Sequence, residues 1–308
     1  MTLPVWLIVG FLGAGKTTVL RRLVHAVQGR RLVYVVNEFS AVDVDAGLIE
    51  REGGTAIAVP GGSIFCRCRI PDFVDVLRRI AEGIPAANGD VFQPEGVVVE
   101  ASGIADPRSM RRLLAESGLD AQFHVAGVTA VVDPSTFMKL MLVLPNIRGQ
   151  IEAADLILLN KSDLHTPETI KKIQKAIVAI NPHATLIRCA HGAVDPLIVL
   201  ANGYSARAVE VDAAFGLCRD PLYERETILF RTPVDYVSLV AAFDGDDENL
   251  YRAKGFVRTN RGWHHFEWSA GKLAEEEAAP VSGASSALVL IWNSTTGCKT
   301  ASRLRHLA

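Results

Sequence analysis

The chain has 308 residues, 49% of them hydrophobic and 21% charged, with a formal net charge of −2. That length predicts two domains with a sizeable buried core, and the near-neutral charge gives no electrostatic case for nucleic acid or an anionic membrane. The five cysteines (Cys66, Cys68, Cys189, Cys218, Cys298) are odd in number and mostly scattered, which argues against a disulfide framework and for a reducing, cytoplasmic setting.

No apolar run approaches the length of a membrane span. The first predicted element is a strand at Val5–Val9, which breaks into Gly10-Phe11-Leu12-Gly13-Ala14-Gly15-Lys16-Thr17 before a helical pattern begins. This is G-x-x-x-x-G-K-T between a strand and a helix, the setting a phosphate-binding P-loop requires. Gly10, Gly13 and Gly15 let backbone N–H groups turn around phosphate oxygens, with Ala14 and Thr18 completing the expected cradle. Lys16 is expected to reach the outer phosphates, and the Thr17 hydroxyl to ligate Mg²⁺. An ordinary glycine-rich turn does not explain Lys16-Thr17 at this offset. The apolar start lacks a basic segment and is interrupted by Gly10–Thr17, so it reads as the first strand rather than as a secretory leader.

Val19, Leu20, Leu23, Val24 and Val27 recur at helical spacing over Thr17–Val27. Leu32–Val36 reads as a buried strand ending in Asn37-Glu38-Phe39, with Asp43 and Asp45 beyond. Two readings stay open for that acidic stretch: a segment beside the triphosphate and its magnesium, or a solvated loop. Next, Pro60-Gly61-Gly62 turns sharply into Ser63–Arg69. Cys66 and Cys68 sit two apart, so in extended backbone both thiols could meet one soft cation, and Arg67 and Arg69 would favour the thiolate. Two incidental cysteines explain the spacing equally well. A helix over Pro71–Ile80 follows, with Phe73, Val76, Leu77 and Ile80 on one side.

The strand Val97-Val98-Val99 delivers Glu100-Ala101-Ser102-Gly103. Glu100 is expected to hold magnesium or its water, and the Gly103 amide to follow the γ-phosphate. Val128–Val132 ends at Asp133, and Leu156–Leu159 delivers Asn160-Lys161-Ser162-Asp163. In such an N-K-x-D loop the Asp carboxylate accepts the N1–H and exocyclic N–H of guanine, a pair that adenine lacks, so GTP is the expected nucleotide. A helix capped by Thr166 runs over Glu168–Ile180, and a strand at Thr185–Ile187 leads to Arg188–Gly192, where Cys189 reads as a small buried residue.

Residues 1–202 are therefore expected to form an α/β P-loop GTPase domain around a mainly parallel sheet. Periodicity fades over 203–226, the expected linker. Residues 227–308 read as a smaller α/β domain: strands at Thr227–Arg231, Tyr251–Arg258, Trp263–Trp268 and Leu288–Trp292, helices at Pro233–Phe243 and Cys298–His306. Ser269–Ser286 reads as an exposed loop, and His264 and His265 would point to opposite faces of a strand, which disfavours a joint metal site.

Together these motifs resemble the CobW-like GTPases, the metallochaperone branch that includes zinc chaperones, cobalamin-synthesis proteins and nitrile hydratase activators. The resemblance rests on GFLGAGKTT at Gly10–Thr18, VVNEF at Val35–Phe39, VVVEASGIADP at Val97–Pro107 and GVTAVVD at Gly127–Asp133. It continues through ADLILLNKSDL at Ala154–Leu164, INPHA at Ile180–Ala184 and YRAKGFV at Tyr251–Val257. It implies GTP hydrolysis coupled to delivering a metal ion to a client metalloprotein. The family's C-x-C-C metal motif falls here on Ser63-Ile64-Phe65-Cys66, so Cys66 alone keeps its place, with Cys68 as a displaced ligand. Ser40-Ala41 replace the end of the family's NEFGE segment, and a His-rich linker is missing between Gly203 and Arg225. Affinity for Zn²⁺ or another transition metal should therefore be weaker, altered or lost. The alternative is a nucleotide-switched assembly or activator protein that holds no metal. Ile104 follows Gly103, where Ras-type GTPases carry a water-orienting Gln, so unassisted turnover should be slow.

Overall fold

Apolar runs in the N-terminal part of the chain line up side by side as one parallel sheet. In a computed structural model the described residues are 2–38, 49–50, 53–60, 63–67, 69–85, 91–201, 223–245, 247, 249–269, 271–278, 285–294 and 297–308. They divide into two units, one up to residue 201 and one from residue 223.

The first unit contains β1 (Leu3–Val9), β2 (Leu32–Glu38), β3 (Thr55–Pro60), a small hairpin of β4 (Ile84–Pro85) and β5 (Val91–Phe92), β6 (Gly96–Glu100), β7 (Phe123–Val132), β8 (Leu156–Leu159) and β9 (Thr185–Arg188). The main sheet has the order β3-β2-β6-β1-β7-β8-β9, and every neighbouring pair is parallel. All five residues of β6 and all four of β8 are buried, which is why they are unbroken apolar runs rather than alternating ones. The helices are α1 (Lys16–Ala26), α2 (Ile70–Glu82), α3 (Met110–Glu116), α4 (Pro134–Val143), α5 (Pro145–Ala153), α6 (Pro167–Ile180) and the single turn α7 (Pro196–Val199). Phe73, Val76, Leu77 and Ile80 of α2 are all buried, as their spacing predicts. Thr166 caps α6, its hydroxyl accepting from Thr169 N–H at 3.3 Å.

Two consequences place the site. β1 lies between β6 and β7, so the loop after β1 is flanked by the carboxyl ends of both. Register pairs Ile8 with Glu100 and Val9 with Ala130, which brings Glu100 and the approach to Asp133 level with Gly10. Loops at the carboxyl ends of parallel strands are where open α/β sheets hold ligands.

The second unit is a separate antiparallel sheet, with β10 (Tyr223–Leu229), β11 (Leu250–Thr259), β12 (Gly262–Ser269), β13 (Lys272–Glu277) and β14 (Ala287–Asn293) in the order β10-β14-β11-β12-β13. Helices α8 (Tyr236–Ala241) and α9 (Lys299–Arg305) supply Leu239, Ala301 and Leu304 to a core with Phe266, Leu288 and Leu290. The first strand starts at Tyr223 rather than Thr227, and α8 is shorter than Pro233–Phe243 because Asp235 caps it, accepting from Ser238 N–H at 2.9 Å. The expectation of a loop over Ser269–Ser286 is overturned at Lys272–Glu277, which pairs with β12 from Ser269↔Lys272 to His264↔Glu277. As an edge strand it carries exposed Glu275, Glu276 and Glu277, charges that blunt a free edge and look like loop in sequence. His264 stacks near Tyr236 at 5.1 Å while His265 lies on Phe256 at 4.9 Å, on the two faces of β12 as expected. No described helix is long and apolar enough to cross a membrane.

Candidate nucleotide site

The loop between β1 and α1 has the backbone its glycines permit: φ is +140° at Gly10, +76° at Gly13 and +103° at Gly15. A side chain is excluded at two of them by space as well as by φ. A Cβ on Gly10 would stand 2.2 Å from the Val131 carbonyl oxygen, and one on Gly15 would stand 2.4 Å from Asn160 Nδ2. Helix α1 begins at Lys16, so its first N–H groups open into the same loop. Lys16 is buried, its Nζ donating to the Gly10 carbonyl at 2.9 Å and to Phe11 at 3.4 Å. Its ammonium thus lies over the loop that the glycines shape.

Thr17 Oγ1 donates to Glu100 Oε1 at 3.0 Å, bringing a hydroxyl and a buried carboxylate from 83 residues apart to one point. Both are hard oxygen donors, the chemistry Mg²⁺ takes, so the pair fits that ion. Beyond Glu100, Ser102 Oγ is buried and makes no hydrogen bond among the described residues. Gly103 presses onto the loop: a Cβ there would meet Leu12 N at 2.6 Å.

The Asn160–Asp163 segment is bonded directly to the phosphate-loop residues. Asn160 Nδ2 donates to the Ala14 carbonyl at 2.9 Å, and its Oδ1 accepts from Gly192 N–H at 2.9 Å. Lys161 adopts φ +56°, a left-handed conformation that costs a non-glycine residue about 1 kcal/mol. From there its Nζ donates to the Gly13 carbonyl at 2.7 Å and to Asp133 Oδ2 at 2.8 Å. Asp163 sits in the 3₁₀ turn Ser162–Leu164 with its side chain exposed. Cys189 is buried beside Asn160, and burial pushes its thiol up to about 11, so it is a packing residue rather than a thiolate.

Burial alone would raise the Asp133 carboxyl, but the hydrogen bonds from Lys161 and Ser135 and the Lys161 charge outweigh it and hold it below the ordinary carboxylate range. A depressed folded value contributes stability that is present above the unfolded value of about 3.9 and is lost as pH falls through the folded one. Urea unfolding of the wild-type chain is therefore expected to weaken on acidification below about pH 4, and Asp133→Asn to flatten that limb. An unchanged acid limb in the variant would remove the pair from this role.

Of the sulfur ligands the sequence offered, Cys66 is buried in the turn that leads into α2, its carbonyl accepting from Arg69 and Ile70 N–H at 2.8 and 3.1 Å. Cys68 lies outside the described residues, as do Gly61, Gly62 and the stretch 39–48 that includes Asp43 and Asp45. Among the described residues no three His, Cys, Asp or Glu side chains are grouped to hold a metal. Phe65 is fully buried and meets Phe73 edge-on at 6.4 Å, so the position that departs from the expected ligand pattern serves the core. Asn37 ties this loop to the nucleotide side. Its Oδ1 accepts from Ile64 N–H at 3.0 Å and Ser102 N–H at 3.2 Å, while its Nδ2 donates to the Val59 carbonyl at 3.1 Å.

Two residues at the site escaped the sequence reading. Gln150 and Asn146, both on α5, donate to the carbonyls of Gly103, Ala105 and Ile104 at 3.2, 2.9 and 2.8 Å. The available signal was amide side chains at i and i+4 within the short run Pro145–Ala153, where apolar residues would otherwise face the sheet.

Residues 4–188 match the family described as CobW/HypB/UreG, nucleotide-binding domain. Zinc chaperone YeiR of Escherichia coli K12 is 30% identical over 191 residues, 61% of this chain and 56% of YeiR. Zinc chaperone YjiA of the same organism is 30% identical over 204 residues, 66% of this chain and 62% of YjiA. Zinc-regulated GTPase metalloprotein activator 1 of Schizosaccharomyces pombe is 28% identical over 202 residues, 63% of this chain and 47% of that protein. The match thus spans less than two thirds of these relatives. In fold, the chain is similar to a Zn(II)-bound triple mutant of the YjiA GTPase, with a TM-score of 0.50 at 21% identity over 100% of this chain and 98% of that one.

Proposed function

Because the chain belongs to the CobW/HypB/UreG family of nucleotide-binding domains, we propose that it binds and slowly hydrolyses GTP and couples that cycle to delivering a transition-metal ion, or to maturing a metalloprotein client, in the reducing cytoplasm. The observation that carries this reading is the bonding of the N-K-x-D loop to the phosphate loop, Asn160 to Ala14 and Lys161 to Gly13. A guanine read by Asp163 and a triphosphate wrapped by Gly10–Thr18 then share one rigid support. Gly13, Ala14, Gly15 and Thr18 would contribute loop and helix N–H groups to the phosphates, and Lys16 would exchange its carbonyl partners for phosphate oxygens. Mg²⁺ would be held by Thr17 and Glu100 and would neutralise charge developing on the phosphates. Gly103 would bring its amide to the γ-phosphate.

The residue after Gly103 makes slow turnover the expectation. Ile104 is an apolar, buried residue, and the nearby Gln150 spends its Nε2 on two backbone carbonyls. No described glutamine at this point is positioned to orient a water. Phosphate release should therefore proceed from GTP below about one per second, without a phosphorylated acceptor, and not from ATP. Partner-free turnover well above that, or equal use of ATP, overturns the assignment. For the cargo, titration of reduced, GTP-loaded protein with Zn²⁺ should show binding that weakens at least about tenfold in the double variant Cys66→Ser, Cys68→Ser. Absence of nucleotide-dependent binding would leave a nucleotide switch that acts on its client without carrying metal.

A further inference from the structure

Helix α5 faces the segment after β6 with an unusually polar buried side. Gln150 is 2% exposed, and its Nε2 bonds the carbonyls of Gly103 and Ala105. One turn earlier, Asn146 Nδ2 bonds the Ile104 carbonyl at 2.8 Å. Three consecutive carbonyls are thus held by two amides at i and i+4 of one helix. The following turn is held as well: Arg108 joins Asp106 at 2.6 Å to Glu152 of α5 at 2.8 Å. Gly149 makes room for this, since a Cβ there would stand 2.7 Å from the Arg108 guanidinium. On its opposite side the same segment abuts the phosphate loop through Gly103 and Leu12.

In a trans peptide the C=O and N–H point in opposite directions. Anchoring the Gly103 carbonyl on Gln150 therefore turns the Ile104 N–H away from α5, and anchoring Ile104 on Asn146 does the same for Ala105 N–H, which bonds the Ser102 carbonyl at 3.0 Å. The Gly103–Ile104 and Ile104–Ala105 peptides are thus oriented by side chains of α5, and the Ser102 carbonyl is held in turn by Ala105 N–H.

We propose that Gln150 and Asn146 are positioning residues for the γ-phosphate: by holding the Gly103–Ala105 carbonyls they preorganise this turn to distinguish a nucleoside triphosphate from a diphosphate. This rests on the reading of the chain as a GTPase. A diphosphate, lacking the γ-phosphate, is expected to stop short of the turn, so GDP affinity should not depend on these amides, whereas binding of a triphosphate and of its transition state should. The preorganisation would also explain why a segment without a water-orienting glutamine supports hydrolysis at all.

The test is Gln150→Met, which keeps length and volume but removes the donor, alongside Asn146→Ala, which removes one bond from a half-buried position. Affinities for GDP and for a non-hydrolysable GTP analogue are measured with kcat and KM for GTP on the full chain. The expected result is GDP affinity within about threefold of wild type, analogue affinity weakened about tenfold, and kcat lowered about tenfold. Unchanged analogue affinity and kcat, or equal loss for both nucleotides, would overturn the proposal; so would a rise in kcat, which would make the amides a restraint. If Gln150→Met does not melt cooperatively, the Asn146→Ala measurements decide alone. Failure of the GTPase reading itself would be seen separately, as absence of guanine-nucleotide binding by the wild-type chain.

Discussion

Asp163→Asn is expected to weaken GTP binding about a thousandfold and to hand the preference to xanthosine triphosphate. A carboxylate offers only acceptors, and guanine presents two N–H donors to it. An asparagine amide places an N–H where guanine also has one, while xanthine carries a carbonyl there that can accept it. A site built around specific donors and acceptors discriminates by such large factors because the wrong partner leaves polar groups unpaired. The substitution is also structurally mild. Asp163 is exposed, and the support of its loop comes from Asn160 and Lys161, whose bonds to Ala14, Gly13, Asp133 and Gly192 do not involve it. Competition binding with GTP, XTP and ATP reads the outcome. Retention of GTP affinity would move guanine recognition elsewhere.

The largest expected effect on stability lies at Phe65. Truncation to alanine should cost about 3–5 kcal/mol, because a ring that is 2% exposed is removed and its neighbours close only partly over the cavity. The edge-on contact with Phe73, at the first turns of α2, goes with it. For a unit of about 200 residues that corresponds to a melting point lower by roughly 10 °C. Thermal and urea unfolding of the variant, with GDP affinity as the control, checks this. A loss under about 1 kcal/mol would mean that the loop refills the space. The effect bears on function, since Phe65 stands where the family resemblance would place a cysteine. Here that position is bound into the core.

The parts legible in the sequence were those where local pattern and local role coincide. β1, the Gly10–Thr17 loop and α1 are contiguous, so strand, turn and helix signals reinforce one another, and β6 and β8 announce themselves as unbroken apolar runs. What stayed hidden depends on partners far away in the chain. β3 is an edge strand of Thr-Ala-Ile-Ala-Val-Pro, short and largely half-buried, with little apolar contrast to mark it. β13 is charged because it is an edge. The two amides of α5 meet carbonyls 42 to 47 residues earlier, a relation that no window of sequence displays. Asn37 was visible as the end of a strand, but not its bonds to Ile64 and Ser102, 27 and 65 residues away.

That asparagine has a thermodynamic corollary. A single oxygen atom serves as acceptor for two amides, one in the segment leading to Cys66 and one in the turn leading to Gly103. Neither amide can withdraw without altering the field and geometry felt by the other. Linkage then requires symmetry: if nucleotide at one end changes the affinity for an ion or client at the other, that ion or client changes nucleotide affinity by the same factor. If the chain carries such an ion or client, its loading would report back on whether GTP or GDP is retained.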